Sequence, residues 1–135
     1  MRVFKFIFIL LISVNSFGAG NELTVSNVKT YLKEIGVHHV DIVVRQAILE
    51  TGWLKSYSAK TRHNLFGLTN GRTKSYYVFD HWKESCKGYR DMVQYKYEKM
   101  GYNYEEGDYY KFLVSMHYAA DPDYISKLKS IKLPK

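Results

Sequence analysis

The chain is poor in the residues that cross-link or kink a small domain. It has 135 residues, with one cysteine and two prolines. A single cysteine, Cys86, excludes an intrachain disulfide, so the fold has to be held by its core, and we expect Cys86 to be a small buried residue. Metal-ligand spacing is missing as well, because His38 and His39 are adjacent and the other histidines are scattered. We therefore predict no metal site.

Acidic residues are also scarce relative to basic ones. Lysine and arginine number 20 against 13 aspartates and glutamates, a formal net charge of +7. Such a charge raises the rate of encounter with polyanions, although simple solubility explains it equally well. No motif of a nucleic-acid-binding module is present, and we expect no nucleic-acid partner.

One apolar run, Val3 to Val14, lies near the N-terminus and is followed by small and polar residues. It is shorter than the roughly 20 apolar residues of a membrane span and is typical of a secretory signal peptide, with an uncleaved anchor as the alternative. We predict a signal peptide over residues 1–20 and one domain over residues 21–135. The domain has 18 basic and 13 acidic residues and is therefore basic. We expect a monomer without stable membrane insertion, exported to the periplasm, cell envelope or extracellular space.

The remaining sequence is mostly helical in pattern. Apolar residues recur at helical spacing over Val25 to Gly36, with Ser26 as the candidate cap, and over His38 to Gly52. Further helices are predicted from Asp80, Asp108 and Asp121, each as a cap or helix start. Between the second and third long helices, Asn70-Gly71 precedes a β-rich run that ends at Phe79, a pattern that predicts a hairpin. The fold class is thus α+β, mainly α: a helical bundle and one small β-hairpin lobe with a cleft between them.

Glu50 occupies an unusual position for a carboxylate. It follows Ala47 by three residues and Val43 by seven, so it continues the apolar stripe of the second helix. Desolvation raises the pKa of a carboxyl, which is what a general acid needs near neutral pH. The alternative is a helix-end carboxylate that pairs with a nearby cation, namely Arg45, Lys55 or Lys60.

Two motifs stand in order along the chain. The first is "LETGWLKSYSAKTRHNLFGL", residues 49–68, and the second is "HYAADPDYISKL", His117 to Leu128. Together they resemble the signatures of bacterial β-N-acetylglucosaminidases, which include flagellar-rod peptidoglycan hydrolases and mannosyl-glycoprotein endo-β-N-acetylglucosaminidase-like domains. The resemblance implies a lysozyme-like fold, cleavage of β-1,4 bonds in peptidoglycan glycan strands, no cofactor, and Glu50 as the general acid.

The resemblance also implies roles for residues around Glu50. Trp53 is a candidate substrate contact that we also expect to pack in the core and to shape the pocket of the acid. Asn64 is positioned to orient a sugar amide, and Phe66 to form a wall of the cleft. Gly67 permits close approach of the backbone.

Two tyrosines of the second motif complete the candidate site. Tyr118 matches a tyrosine that faces the site from across the cleft and steadies an N-acetyl group or positions a water, with a core tyrosine as the alternative. Tyr124 is a candidate substrate contact, although it also fits the start of the final helix. Arg72 and Lys74, with exposed tyrosines, are expected to grip an anionic glycan.

The stretch over residues 69–79 departs from the family pattern because it contains no aspartate or glutamate. Asp80 is the possible second carboxylate, with helix capping as its alternative role. One acid suffices if the substrate assists, so three functions stay open. They are a hydrolase, a lytic transglycosylase that uses Glu50 alone, and an inactive glycan-binding module on the same scaffold.

Overall fold

The computed structural model describes residues 18–103 and 105–135, so the predicted signal peptide lies almost wholly outside the described residues. The first helix, α1, spans Val25–Glu34. Its cap is Thr24 rather than the predicted Ser26, because Thr24 Oγ1 accepts the N–H of Asn27 at 3.1 Å while Ser26 already lies inside the first turn. Gly36, with φ of +79°, follows the end of the helix as predicted.

The second helix, α2, spans Val40–Thr51 and ends at Gly52 in the left-handed conformation. One broad face of α2 is buried, with Ile42, Val43, Val44, Ala47 and Ile48 in the core. Glu50 does not continue that buried face as predicted. It lies at its edge, and its side chain is exposed at the C-terminal end of the helix. A one-turn helix, α3, spans Tyr57–Lys60.

The predicted β-hairpin lobe is not supported by the structure, although a turn with one bridge forms at its position. In the described part of the chain, Thr69 and Tyr76 form an isolated antiparallel bridge and no strand is present. Beyond the bridge, the N–H of Phe79 donates to the carbonyl of Arg62 at 2.8 Å. The two arms are joined by this bridge and by the hydrogen bond from the N–H of Tyr77 to the carbonyl of Leu68, whereas Phe79 pairs with the preceding loop. The architecture is mainly helical.

A long helical rod follows. It consists of α4 (Trp82–Tyr89), a π-helical turn (Arg90–Gln94) and α5 (Tyr95–Lys99). The cap of α4 is His81 rather than Asp80, since His81 Nδ1 accepts the N–H of Lys83 at 3.1 Å. The apolar stripe of this segment, formed by Trp82, Cys86, Tyr89, Val93 and Tyr97, is buried. Burial raises the pKa of the Cys86 thiol to about 12.

The last two helices are α6 (Glu106–Ser115) and α7 (Tyr124–Ser130). Asp108 does not cap α6 as predicted but lies in its first turn, where its carboxylate accepts the N–H of Asn103 at 3.2 Å. The central helix α2 contacts α1, α3 and α7, and α1 also packs on α4. Within the described ranges, no helix is long and apolar enough to cross a membrane.

Candidate active site

The C-terminal end of α2 opens on a cleft with a volume of about 470 Å³. Its walls come from three separate parts of the chain: the loop after α3, the π turn with α5, and the segment between α6 and α7. The lining residues are Glu50, Phe66, Gly67, Leu68, Thr69, Tyr76, Met92, Val93, Lys96, Met116, His117, Tyr118 and Ala119. The volume lies in the range of small-molecule and glycan sites.

The Glu50 carboxyl lies among protein atoms even though the side chain is exposed toward the cleft. Desolvation raises the pKa of Glu50, and a hydrogen-bonding interaction with the Tyr124 hydroxyl opposes that rise in part. In the described part of the chain no ion pair joins Glu50 to a cation, and Arg45 instead donates its Nε–H to the carbonyl of Ile131 at 2.9 Å. The geometry therefore does not support the alternative of a charge-paired helix-end carboxylate.

Asn64 stabilises the loop beside Glu50 by hydrogen bonds to the main chain on its buried side. This side chain is fully buried. Its amide nitrogen donates to the carbonyls of Leu68 and Tyr77 at 2.9 and 3.0 Å, and its oxygen accepts the N–H of Leu68 at 3.0 Å. Asn64 thus lies beneath the cleft wall, where it joins the first motif to the β-rich run, and not on the surface that a sugar amide would reach.

Phe66 and Gly67 form the part of the loop that faces the acid. Phe66 is buried against the ring of Tyr89, with 4.6 Å between centroids, and lines the cleft as a wall. Gly67 has φ of +63°. A Cβ at that position would lie 3.1 Å from Glu50 Oε2, so glycine is what allows the main chain to approach the carboxyl.

Tyr118 lines the cleft from the opposite side. Its hydroxyl donates to the carbonyl of Phe66 at 2.7 Å, and burial raises its pKa. Its ring stacks on Tyr124 at 5.8 Å. Tyr118 thus holds the loop. Tyr124, stacked on it, is buried and is not among the residues that line the cleft, and its hydroxyl interacts with the Glu50 carboxyl.

Trp53 lies outside the cleft wall. It is 46% exposed, in contrast to the predicted core position, and follows Gly52 in a left-handed turn with φ of +61°. The indole is thus half exposed and is not among the groups that line the cleft. Asp80 is exposed and is likewise absent from the cleft lining. Arg72 and Lys74 lie exposed in the turn beyond Thr69.

Nine lining residues were not identified as site residues from the sequence, and four of them are Tyr76, Met92, Lys96 and His117. Tyr76 is half exposed, and the guanidinium of Arg62 lies 4.7 Å from its ring centroid. Lys96 places a cation in the cleft. His117 opens the second motif, and that position was its only sequence signal, whereas the other three face the cleft only because of tertiary packing.

A second depression, of about 390 Å³, lies between α1 and α2. Its charged groups include Lys29 and Asp41, which pair with each other at 3.0 Å. None of its lining residues belongs to the two motifs, so we assign the chemistry to the cleft of Glu50. Among the described residues no group of three or more His, Cys, Asp or Glu side chains is arranged to hold a metal ion.

Comparison with known proteins gave one family match. A family model described as mannosyl-glycoprotein endo-beta-N-acetylglucosaminidase matches residues 25–132, which include α1 to α7 and every lining residue of the cleft. Searches of curated proteins and of solved structures gave no significant match. The match confirms the family expected from the two motifs, and the chain belongs to the glucosaminidase family.

Proposed function

We propose that the protein is an exported peptidoglycan glycosidase in which Glu50 is the general acid. The observation that carries the proposal is a carboxyl of raised pKa at the base of a cleft, on the motif residues that the family resemblance assigns to catalysis. Family membership supports glycosidase activity on peptidoglycan. A basic domain and a lysine in the cleft wall suit an anionic polymer.

In this mechanism Glu50 is protonated when the glycan binds. Its proton passes to the glycosidic oxygen as the bond between that oxygen and C1 breaks, so the leaving sugar departs as a neutral alcohol. The bonding electrons go to the oxygen, and positive charge develops at C1. Glu50 is left as a carboxylate, to which the Tyr124 hydroxyl is able to donate.

The second chemical partner is the substrate itself. Glu50 is the only aspartate or glutamate among the described residues that line the cleft. The carbonyl oxygen of the sugar's own 2-acetamido group then bonds to C1 and spreads the positive charge. Water attacks C1, displaces that oxygen and returns one proton to Glu50, which restores the acid.

The single carboxylate also favours a second candidate reaction. When C1 belongs to a muramyl residue, a hydroxyl of that same residue attacks C1 in place of water, returns its proton to Glu50 and leaves an anhydro sugar, as in a lytic transglycosylase. Both reactions require the same acid and differ in the nucleophile that attacks C1. The inactive glycan-binding module, by contrast, would hold the glycan and transfer no proton.

One experiment separates these functions. Purified domain 21–135 and its Glu50→Gln variant are incubated with peptidoglycan, and the soluble fragments are identified by mass spectrometry. We expect wild type to release fragments with reducing ends and the variant to release at least about 100-fold less, the usual contribution of a general acid. Anhydro ends would assign the transglycosylase. Equal, negligible release by two proteins that both sediment with the polymer would contradict the catalytic proposal.

A further inference from the structure

A continuous chain of buried polar side chains connects the cleft to the far side of the core. Gln46, Tyr89, Tyr109 and Gln94 are each at most 3% exposed. Gln46 Nε2 donates to the Tyr124 hydroxyl at 3.2 Å, and the Tyr89 hydroxyl donates to Gln46 Oε1. Tyr89 and Tyr109 share a short hydrogen bond between their hydroxyls, and Gln94 Nε2 donates to the Tyr109 hydroxyl at 3.1 Å. The chain thus runs without a break from Gln94 to Tyr124.

The orientation of this chain is fixed at its far end by the main chain. The N–H of His38 donates to Gln94 Oε1 at 2.8 Å, and Gln94 Nε2 donates to the carbonyl of His38 at 2.7 Å. A main-chain N–H only donates and a carbonyl only accepts. The amide of Gln94 therefore has one orientation, with its nitrogen toward Tyr109. The π turn over Arg90–Gln94 ends at this residue, which is buried there.

The orientation of the Gln94 amide determines which group donates in each further hydrogen bond. Tyr109 accepts from Gln94, which leaves its own proton for Tyr89. Tyr89 accepts that proton and gives its own to Gln46 Oε1, so the amino group of Gln46 faces Tyr124. Tyr124 accepts from Gln46 and keeps its proton for the Glu50 carboxyl. With the amide of Gln46 reversed, Tyr124 would donate to Gln46 instead, and Glu50 would lose its donor.

We propose that Gln46 and Tyr89 are positioning residues that keep the Tyr124 hydroxyl as a hydrogen-bond donor to Glu50. The inference rests on the proposed function only in taking Glu50 as the acid. A donor directed at the carboxyl stabilises its charged form, which is the form that remains once the proton has passed to the leaving oxygen. The chain thereby offsets part of the desolvation and allows an acid held in a partly apolar cleft to release its proton.

Other groups face Glu50 from the elements around it. Tyr118, from the segment before α7, has its hydroxyl committed to the carbonyl of Phe66. His117, from the same segment, and Lys96, from α5, line the cleft as titratable groups. All three are unchanged in the variants below, so their influence on the titration of Glu50 is common to every protein compared.

The test is a ¹³C NMR titration of the glutamate carboxyl carbons, with Glu50 assigned by its absence in Glu50→Gln. Three variants, Tyr124→Phe, Tyr89→Phe and Gln46→Met, are each expected to shift the titration midpoint of Glu50 to higher pH. Because they act through one donor, adding Tyr89→Phe to Tyr124→Phe should shift it no further. In an assay on soluble glycan, the fall in activity at high pH should shift in the same direction.

A matched control is Tyr97→Phe. Tyr97 is another fully buried tyrosine, and its hydroxyl bonds to His39 and to the carbonyl of Asn103. The Tyr97→Phe substitution should leave the titration midpoint of Glu50 unchanged. Gln46→Met alone leaves the buried Tyr89 hydroxyl without its acceptor, so the double variant Gln46→Met/Tyr89→Phe, which removes both partners, replaces it if folding fails.

The proposal is overturned if Tyr124→Phe leaves the midpoint of Glu50 unchanged. It is equally overturned if only Tyr124→Phe moves the midpoint while the Tyr89 and Gln46 variants do not. The titration needs no substrate, so its result is independent of the proposed function. A protein that titrates as expected but releases no glycan fragments would refute the function alone, whereas an unmoved midpoint in an active, Glu50-dependent enzyme would refute the hydrogen-bond chain alone.

Discussion

A Cβ on residue 67 would lie 3.1 Å from Oε2 of Glu50. The main chain of Gly67, in the left-handed region with φ of +63°, thus packs directly on the carboxyl that we propose as the acid. The contact closes one side of this carboxyl to water. It thereby contributes to the desolvation that raises the pKa of Glu50.

Gly67→Ala should therefore impair both stability and activity. A non-glycine residue in the left-handed region destabilises the fold by about 1–2 kcal/mol, and the added methyl displaces the Glu50 oxygen. Gly36→Ala is the control, because Gly36 has φ of +79° and open space around its Cβ position. We expect both variants to lower the midpoint of urea unfolding and only Gly67→Ala to lower kcat/KM. Equal activity of the two variants would show that the approach to Glu50 is not required.

Tyr118→Phe tests whether the tyrosine acts on the loop or on the substrate. The variant loses the hydrogen bond to the carbonyl of Phe66, worth about 1 kcal/mol, and loosens the loop that packs on Glu50. We expect kcat to fall roughly tenfold with KM little changed, because the acid is displaced. Tyr102→Phe removes a hydroxyl bonded to Ser115 at 3.3 Å and should leave both constants unchanged. A rise in KM alone for Tyr118→Phe would instead mean that its hydroxyl contacts the glycan.

Asn64→Ala distinguishes an architectural role from sugar binding. It leaves the carbonyls of Leu68 and Tyr77 and the N–H of Leu68 without their partner, so we expect a loss of about 3 kcal/mol or more in the free energy of unfolding. Asn70→Ala removes an amide that caps an exposed turn and should lose less than about 1 kcal/mol. A stable Asn64→Ala protein with weakened glycan binding would show instead that Asn64 contacts the glycan.

The raised pKa of Glu50 predicts a pH-dependent difference in stability between wild type and Glu50→Gln. Below the pKa of glutamate in the unfolded chain, the carboxyl is neutral in both states and the difference is small. As the pH rises through the window between the unfolded and the raised folded pKa, the unfolded chain loses this proton first, and wild type loses stability relative to the variant. Urea unfolding at a series of pH values measures this. A free energy of unfolding of wild type that instead rises relative to that of Glu50→Gln as the pH rises would contradict a raised pKa.

The sequence predicted the helices better than the parts between them. Apolar spacing located α1 and α2 because their buried faces are continuous. Asn70-Gly71 predicted a hairpin, but its arms make one bridge only, and Phe79 pairs with Arg62, a tertiary contact that no local pattern contains. The π turn that buries Gln94 was not predicted either, since it leaves the apolar stripe of the rod intact.

The candidate site was likewise predicted only where local sequence carries the signal. Some residues of the two motifs were named in advance, and the structure brings three of them, Glu50, Gly67 and Tyr118, together. The lining residues from the π turn and α5 required knowledge of how distant elements pack. The role of Asn64 was also beyond reach, because a buried amide bonded to main chain and an exposed one bonded to a sugar look alike in sequence.

The most direct test of Glu50 as the acid varies the leaving group of the substrate. A sugar leaving group needs protonation, whereas a dinitrophenolate leaves without it, so a variant that lacks only the acid should be impaired on the first substrate and not on the second. We predict that Glu50→Gln cleaves the natural glycan at least about 100-fold more slowly than wild type and retains near wild-type rates of bond cleavage on a dinitrophenyl glycoside of the same sugar. Equal impairment on both substrates, or none on the natural glycan, would contradict the assignment.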